Sequence, residues 1–194
     1  SKSKGGAEPI PNAARIYGVD SMRLYYCHIG NANMDVEWSP DNVMMYRRRI
    51  ERVYSLYSDL IQRIRSYNGG YGDYSKIDRW LESKVIYHVL RYMDAMDRYD
   101  LRTGANIAFF DYVNDLRWYG KRGGNNPNVL RFALEYGIKL MAPFTPHIAE
   151  ELWELYGGEG FVSIATIPVP KESDIDLKVL VLEAHMTKLI EDIM

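Results

Sequence analysis

Between residues 47 and 65 the sequence sets six arginines, Arg47, Arg48, Arg49, Arg52, Arg63 and Arg65, against Glu51 and Asp59, a surplus of four positive charges on one segment. Guanidinium groups at that density can follow a phosphate backbone, and the interleaved Tyr46, Tyr54 and Tyr57 can hydrogen-bond to sugar or phosphate. The same residues also suit a solvated bundle face with tyrosines in its seam, and composition alone does not separate the two readings. A second basic cluster, Arg117-Trp118-Tyr119 with Lys121 and Arg122, falls at an expected helix end, where cations also complement the macrodipole. A third candidate opens the sequence. Ser1-Lys2-Ser3-Lys4-Gly5-Gly6 joins point charges to glycines that let a polyphosphate approach the backbone, but read locally the signal is weak and such a start is more often a disordered tail.

Other chemistry has little to build on. His28, His88, His147 and His185 are far apart and lack metal-ligand spacing, and Cys27 has no second thiol, so no metal site is expected. His147 sits in Pro143-Phe144-Thr145-Pro146-His147 and reads as a capping or packing residue. The carboxylate pairs Glu150-Glu151 and Asp111/Asp115 read as helix surface or i,i+4 partners.

Composition narrows the class. The chain has 194 residues, 47% hydrophobic and 26% charged, which excludes disordered and collagen-like chains. The lone Cys27, the lack of an apolar leader and the lack of a membrane-length apolar run fit a protein of the reducing cytoplasm. With 24 basic and 26 acidic residues the net charge is −2, so a nucleic-acid partner must be argued from local clusters. Ser1 in place of an initiator methionine, and a loop with no preceding element, lead to the expectation that the chain is a segment of something longer.

The elements that must hold these groups are helices. Two short ones are expected over residues 9–29, broken at Gly18, with Asp20 as the second cap. Ser39-Pro40-Asp41 starts a long helix, and Val43, Tyr46, Ile50, Val53, Tyr57, Leu60 and Ile64 recur with bundle-seam spacing until Asn68-Gly69-Gly70. Ser75 caps a helix to about Tyr99. Another spans Thr103–Tyr119 with Ile107, Phe110, Val113 and Leu116 or Trp118 inward. Asn126-Pro127 and Thr145-Pro146 begin two more. Phe161–Ala165 reads as extended. Residues 177–193 form a last helix, for which the sequence identifies no packing surface. The fold class is all-α, a helix bundle, divided into a connector over 1–38, the bundle over 39–157, and a linker with the start of an extension over 158–194.

Three stretches, in order, resemble class I aminoacyl-tRNA synthetases. Ser1-Lys2-Ser3-Lys4-Gly5 is similar to the end of their KMSKS loop. Tyr17-Gly18-Val19-Asp20-Ser21-Met22-Arg23-Leu24-Tyr25 is similar to the segment that follows it. Met141-Ala142-Pro143-Phe144-Thr145-Pro146-His147-Ile148-Ala149-Glu150-Glu151-Leu152-Trp153 resembles the signature near the end of the helical bundle. Met34-Asp35-Val36-Glu37-Trp38, Asn114-Asp115-Leu116-Arg117-Trp118-Tyr119 and Gly157-Gly158-Glu159-Gly160-Phe161-Val162-Ser163 resemble the leucyl group of archaeal and eukaryotic type, while valyl and isoleucyl enzymes share the general pattern. Gly6 stands where asparagine is usual, and Ile167-Pro168 where tryptophan-proline is. His28-Ile29-Gly30-Asn31 imitates the HIGH motif but follows the KMSKS-like loop instead of preceding it, and reads as a helix end and turn.

The resemblance implies a bundle of the anticodon-binding type within an enzyme that joins leucine to tRNA(Leu) with ATP and Mg2+, by way of leucyl-adenylate. It implies that Lys2 meets the ATP phosphates, that Ser1 and Ser3 shape the loop, and that the chain alone is inactive because the nucleotide-binding fold is absent. Arg47, Arg48, Arg52, Arg117 and Arg122 are the expected contacts to tRNA phosphates. Neither a membrane nor DNA is an expected partner. The rival from another class is a non-catalytic helical scaffold that binds protein through its tyrosine- and methionine-rich faces.

Overall fold

The computed structural model describes residues 9–30, 38–67 and 74–193. Lys2, Ser1 and Ser3, the Met34–Glu37 part of the leucyl-like motif and the Asn68-Gly69-Gly70 stop lie outside them. Among the described residues the regular structure is helical: α1 (Ile10–Tyr17), α2 (Val19–Ile29), α3 (Pro40–Ser66), α4 (Lys76–Asp97), α5 (Leu101–Asn106), a π-helical segment (Ile107–Asp111), α6 (Tyr112–Lys121), α7 (Pro127–Met141), α8 (Pro146–Tyr156) and α9 (Leu177–Ile193).

Local capping starts the long helices where the sequence marks them. Ser39 Oγ accepts from the Asn42 N–H at 3.4 Å at the head of α3. At α4 the box is complete: Ser75 Oγ accepts from the Asp78 N–H, and Asp78 Oδ2 accepts from the Ser75 N–H at 2.8 Å. The α3 seam then buries Val43, Ile50, Val53, Tyr57, Leu60 and Ile64. Helices α3, α4, α6 and α7 pack around a single apolar core, α8 closes it over α3 and α7, and α2 lies across α3 and α5.

A buried polar chain joins three helix ends. The Asn126 N–H at the head of α7 donates to Tyr119 Oη at 2.9 Å, and that hydroxyl, near the end of α6, donates to Asp78 Oδ1 in the first turn of α4. Burial and the Asp78 hydrogen bond push the Tyr119 phenol up from its ordinary value, with the Asn126 N–H pulling the other way. Gly124 lets the turn pass over the ring, because a Cβ there would lie 2.2 Å from Tyr119 Cε2.

Four expectations need correction. Asp20 does not cap α2, since Gly18 holds that position and Asp20 lies inside the first turn. The Thr103–Tyr119 helix is not regular: a π-helical turn at Ile107–Asp111 interrupts it, with Phe109 fully buried and Phe110, expected inward, only partly buried. Phe161–Ala165 is not extended but folds into a 3₁₀ turn at Val162–Ile164, held by Glu150, whose carboxylate accepts from the Val162 and Ser163 N–H groups at 2.9 and 3.0 Å. Finally, α9 does find a surface. It packs on α4, and Glu183 accepts from Trp118 Nε1 at 2.8 Å and from Arg122 Nε at 2.6 Å.

The remaining carboxylates expected at the surface also work across elements. Glu151 accepts from Tyr54 of α3 at 2.7 Å. Asp115 Oδ2 lies 2.6 Å from His88 Nε2 and 3.1 Å from Lys84 Nζ, both on α4.

Candidate nucleic-acid interface

Met45, Arg48, Arg49 and Arg52 follow one another at helical spacing on one stripe of α3. The stripe faces the C-terminal end of α2 and the π-helical segment, and together they line a cavity of about 360 Å³ with His28, Tyr46 and Phe110. The π turn delivers Phe110 to this place. Its two successive phenylalanines serve two surfaces, Phe109 packing on Phe144 in the core with centroids 6.1 Å apart, and Phe110 reaching the cavity.

The wall of the cavity is a layered aromatic and cationic set. The Arg49 guanidinium carbon lies 4.3 Å from the Phe110 ring centroid, a cation–π contact. His28 stacks on Phe110 at 5.0 Å and 19°, and its Nδ1 lies 2.6 Å from Tyr46 Oη. The site is positive. Burial, then the charges of Arg117 and Arg52, lower the Arg49 pKa from its ordinary value, which records how closely like charges crowd here. Arg102 adds to the field at His28. Among the described residues, none of Arg48, Arg49, Arg52, Arg102 and Arg117 is in an ion pair with a carboxylate.

Two of the five arginines expected to act together stand apart. Arg47 is committed to Glu51 at 3.1 Å and to the Ile16 carbonyl at 2.8 Å, on the side of α3 that receives α1. Arg122 is bound to Glu183 and secures α9. Arg48 and Arg52 line the cavity, and Arg117 reaches its field from α6. The sequence places Arg49 in the basic run but not among the five expected contacts, and sequence reading missed Phe110 and His28 as members of this site. For Phe110 the available signal was the adjacent Phe109, since two neighbouring phenylalanines cannot both lie on one helix seam.

Burial, with the positive charges of Arg102 and Arg49, holds the His28 imidazole below its ordinary value, and the hydrogen bond to the Asn106 side chain offsets part of this. The sign follows from linkage. As pH falls below about 6.5 the unfolded chain takes up this proton before the folded chain does, so stability declines until the folded group titrates in turn. Denaturation midpoints measured between pH 7.5 and 5 should therefore fall more steeply for the parent chain than for His28→Gln, and parallel curves would rule the effect out.

A second junction joins two of the sequence motifs. Asp20 of α2 is buried and aims its carboxylate at the head of α8, with Oδ2 accepting from the Ile148 N–H at 2.9 Å and Oδ1 lying 2.8 Å from His147 Nδ1. One turn on, Arg23 Nη2 donates to the Pro143 carbonyl at 2.8 Å. His147 thus acts at a capping site, and its partner comes from the other end of the chain.

Comparison with known proteins agrees with this architecture. Residues 78–194 match the family model described as the anticodon-binding domain of tRNA ligase. All 194 residues align at 37% identity with a leucine–tRNA ligase of Methanocaldococcus jannaschii, and the chain aligns at 36% with one of Archaeoglobus fulgidus. The chain spans 20% of the length of each of these relatives. Its fold is similar to that of the LeuRS of Agrobacterium radiobacter K84, solved as a ternary complex with tRNA and LeuAMS, with a TM-score of 0.73 and 24% identity over 93% of this chain and 23% of that one. A family match over more than half of the residues, on a bundle with this helix order, means that the chain belongs to the anticodon-binding domain family of tRNA ligases.

Proposed function

We propose that this chain is the tRNA-holding helical part of a leucine–tRNA ligase. The observation that carries the reading is the unneutralised arginine set Arg48, Arg49, Arg52 and Arg117 around an aromatic cavity. A merely solvated bundle face has no need of such a set, because like charges crowded without carboxylates raise the energy of the free protein. They are offset when phosphates bind and release counterions. The leucine enzymes among the relatives favour leucine over valine or isoleucine.

In this reading the intact enzyme joins leucine to tRNA(Leu) using ATP, by way of leucyl-adenylate, in the cytoplasm. Lys2 meets the ATP phosphates alongside Mg2+, while Ser1 and Ser3 shape its loop. Residues 1–38 connect the catalytic part to the bundle at 39–157, and 158–194 lead toward an extension. The Asp20–His147 junction keeps the connector seated on the bundle.

The test is tRNA affinity across a salt series in the full-length ligase. The double variant Arg48→Ala/Arg52→Ala should weaken binding of tRNA(Leu) and make the plot of log affinity against log salt shallower by roughly one for each phosphate that is no longer neutralised. It should still charge leucine, and not valine or isoleucine, at saturating tRNA. An unchanged slope sinks the role given to this face.

A further inference from the structure

A helix face that only follows phosphates needs charges at intervals, not a cavity with a stacked wall. Here the charges surround a recess of about 360 Å³, a size at the lower end of the usual range for small-ligand pockets, and its wall carries a guanidinium plane laid on Phe110. Planes of this kind receive unstacked bases. The polar atoms left to a ligand are mostly donors. His28 is engaged with Tyr46 and Asn106, the lining has no carboxylate or amide, and Arg48, Arg49 and Arg52 only donate. A base edge bearing keto oxygens meets these donors well, whereas an exocyclic amino group turned to the three arginines meets only donors.

We propose that the cavity between α2, α3 and the π-helical segment holds one unpaired nucleotide of the bound RNA, stacked on the Arg49 guanidinium that Phe110 backs, with a preference for bases that turn keto oxygens to the arginines, uracil and the N7/O6 edge of guanine, over the amino-bearing edges of adenine and cytosine. The inference rests on the tRNA-binding reading above and adds to it the kind of nucleotide that this site takes.

The experiment uses the full-length ligase and two probes. With tRNA(Leu), Arg49→Lys keeps the charge but loses the plane, and Phe110→Leu keeps the apolar contact but loses the ring. Each should weaken binding about five-fold or more with the salt slope unchanged, and Phe110→Tyr should bind like the parent. With single-stranded 12-mers competing for the tRNA site, oligouridylate should compete at least about three-fold better than oligocytidylate of equal charge, each donor–acceptor mismatch being worth roughly that much or more. Arg49→Lys should narrow the difference. If Arg48→Ala/Arg52→Ala flattens the salt slope while Arg49→Lys and Phe110→Leu bind tRNA normally, the stacking site is wrong and phosphate tracking stands. If all these variants bind like the parent, both readings fail. Equal competition by the two oligonucleotides overturns the keto preference.

Discussion

Gly137→Ala is expected to lower the stability of the bundle by about 2–3 kcal/mol, the net of overpacking at the upper end of its usual 1–3 kcal/mol or slightly beyond, and a helix-propensity gain near 1 kcal/mol. A Cβ at this point of α7 would lie 2.2 Å from the Tyr57 hydroxyl and 3.0 Å from Tyr112 Cε1. Neither ring can step aside. Tyr57 and Tyr112 are fully buried, and Tyr112 is held by a 2.6 Å bond from its hydroxyl to the Ala133 carbonyl of the same helix. In thermal unfolding of a domain this size the loss reads as a fall of roughly 5–10 °C. The clash names its own rescue. The Tyr57 hydroxyl is buried without a hydrogen-bond partner among the described residues, and burial pushes its pKa far above the phenol range. Tyr57→Phe alone should therefore be neutral or stabilising, and in the Gly137→Ala background it should return about 1 kcal/mol or more as a coupling energy. Additive effects of the two substitutions would falsify this account of why α7 carries a glycine there.

Asp20→Ala has the next largest expected effect, a loss of about 2 kcal/mol and a midpoint lower by roughly 4–8 °C. Helix α8 has no side-chain cap of its own, for Thr145 makes no such bond. The carboxylate of Asp20 supplies the missing acceptor to the Ile148 N–H and places a negative charge at the positive end of the helix dipole. Asp20→Asn keeps one acceptor oxygen and should lose less than half as much. Hydrogen exchange locates the effect: protection should fall at the Ile148 amide and through α2, and stay unchanged at the α4 capping box. If exchange rises evenly over the whole bundle, Asp20 is an ordinary core residue and not a clamp between α2 and α8.

These two sites also show what a one-dimensional reading reaches. Ser39-Pro40, Ser75 and Asn126-Pro127 were legible as helix starts because a cap and the N–H that donates to it lie within three residues of each other. The α3 seam was legible because burial on one face repeats with the helix period. Asp20 misled the reading for the complementary reason. An aspartate at the head of a helix looks like that helix's own cap, and nothing local reveals that its acceptors serve a backbone more than 120 residues away. Arg122 is the same case, a cation at a helix end whose partner Glu183 belongs to the last helix. The arginine cluster was half legible. Its charge density on α3 is written in the sequence, whereas the choice of Arg48, Arg49 and Arg52 over Arg47 depends on where α1, α2 and the π-helical turn come to rest.

The hydroxyl of Tyr119 has a consequence beyond the bonds it makes. Helix ends ordinarily unwind first, each on its own, because their last backbone groups have no partner within the helix. Here one phenol belongs to three ends at once, taking the Asn126 N–H and giving its proton to Asp78. None of the three can open without leaving a buried polar group of another unmatched. The margins of α4, α6 and α7 are therefore fused into one cooperative unit, and the bundle is closed at the place where separate helices would begin to fray.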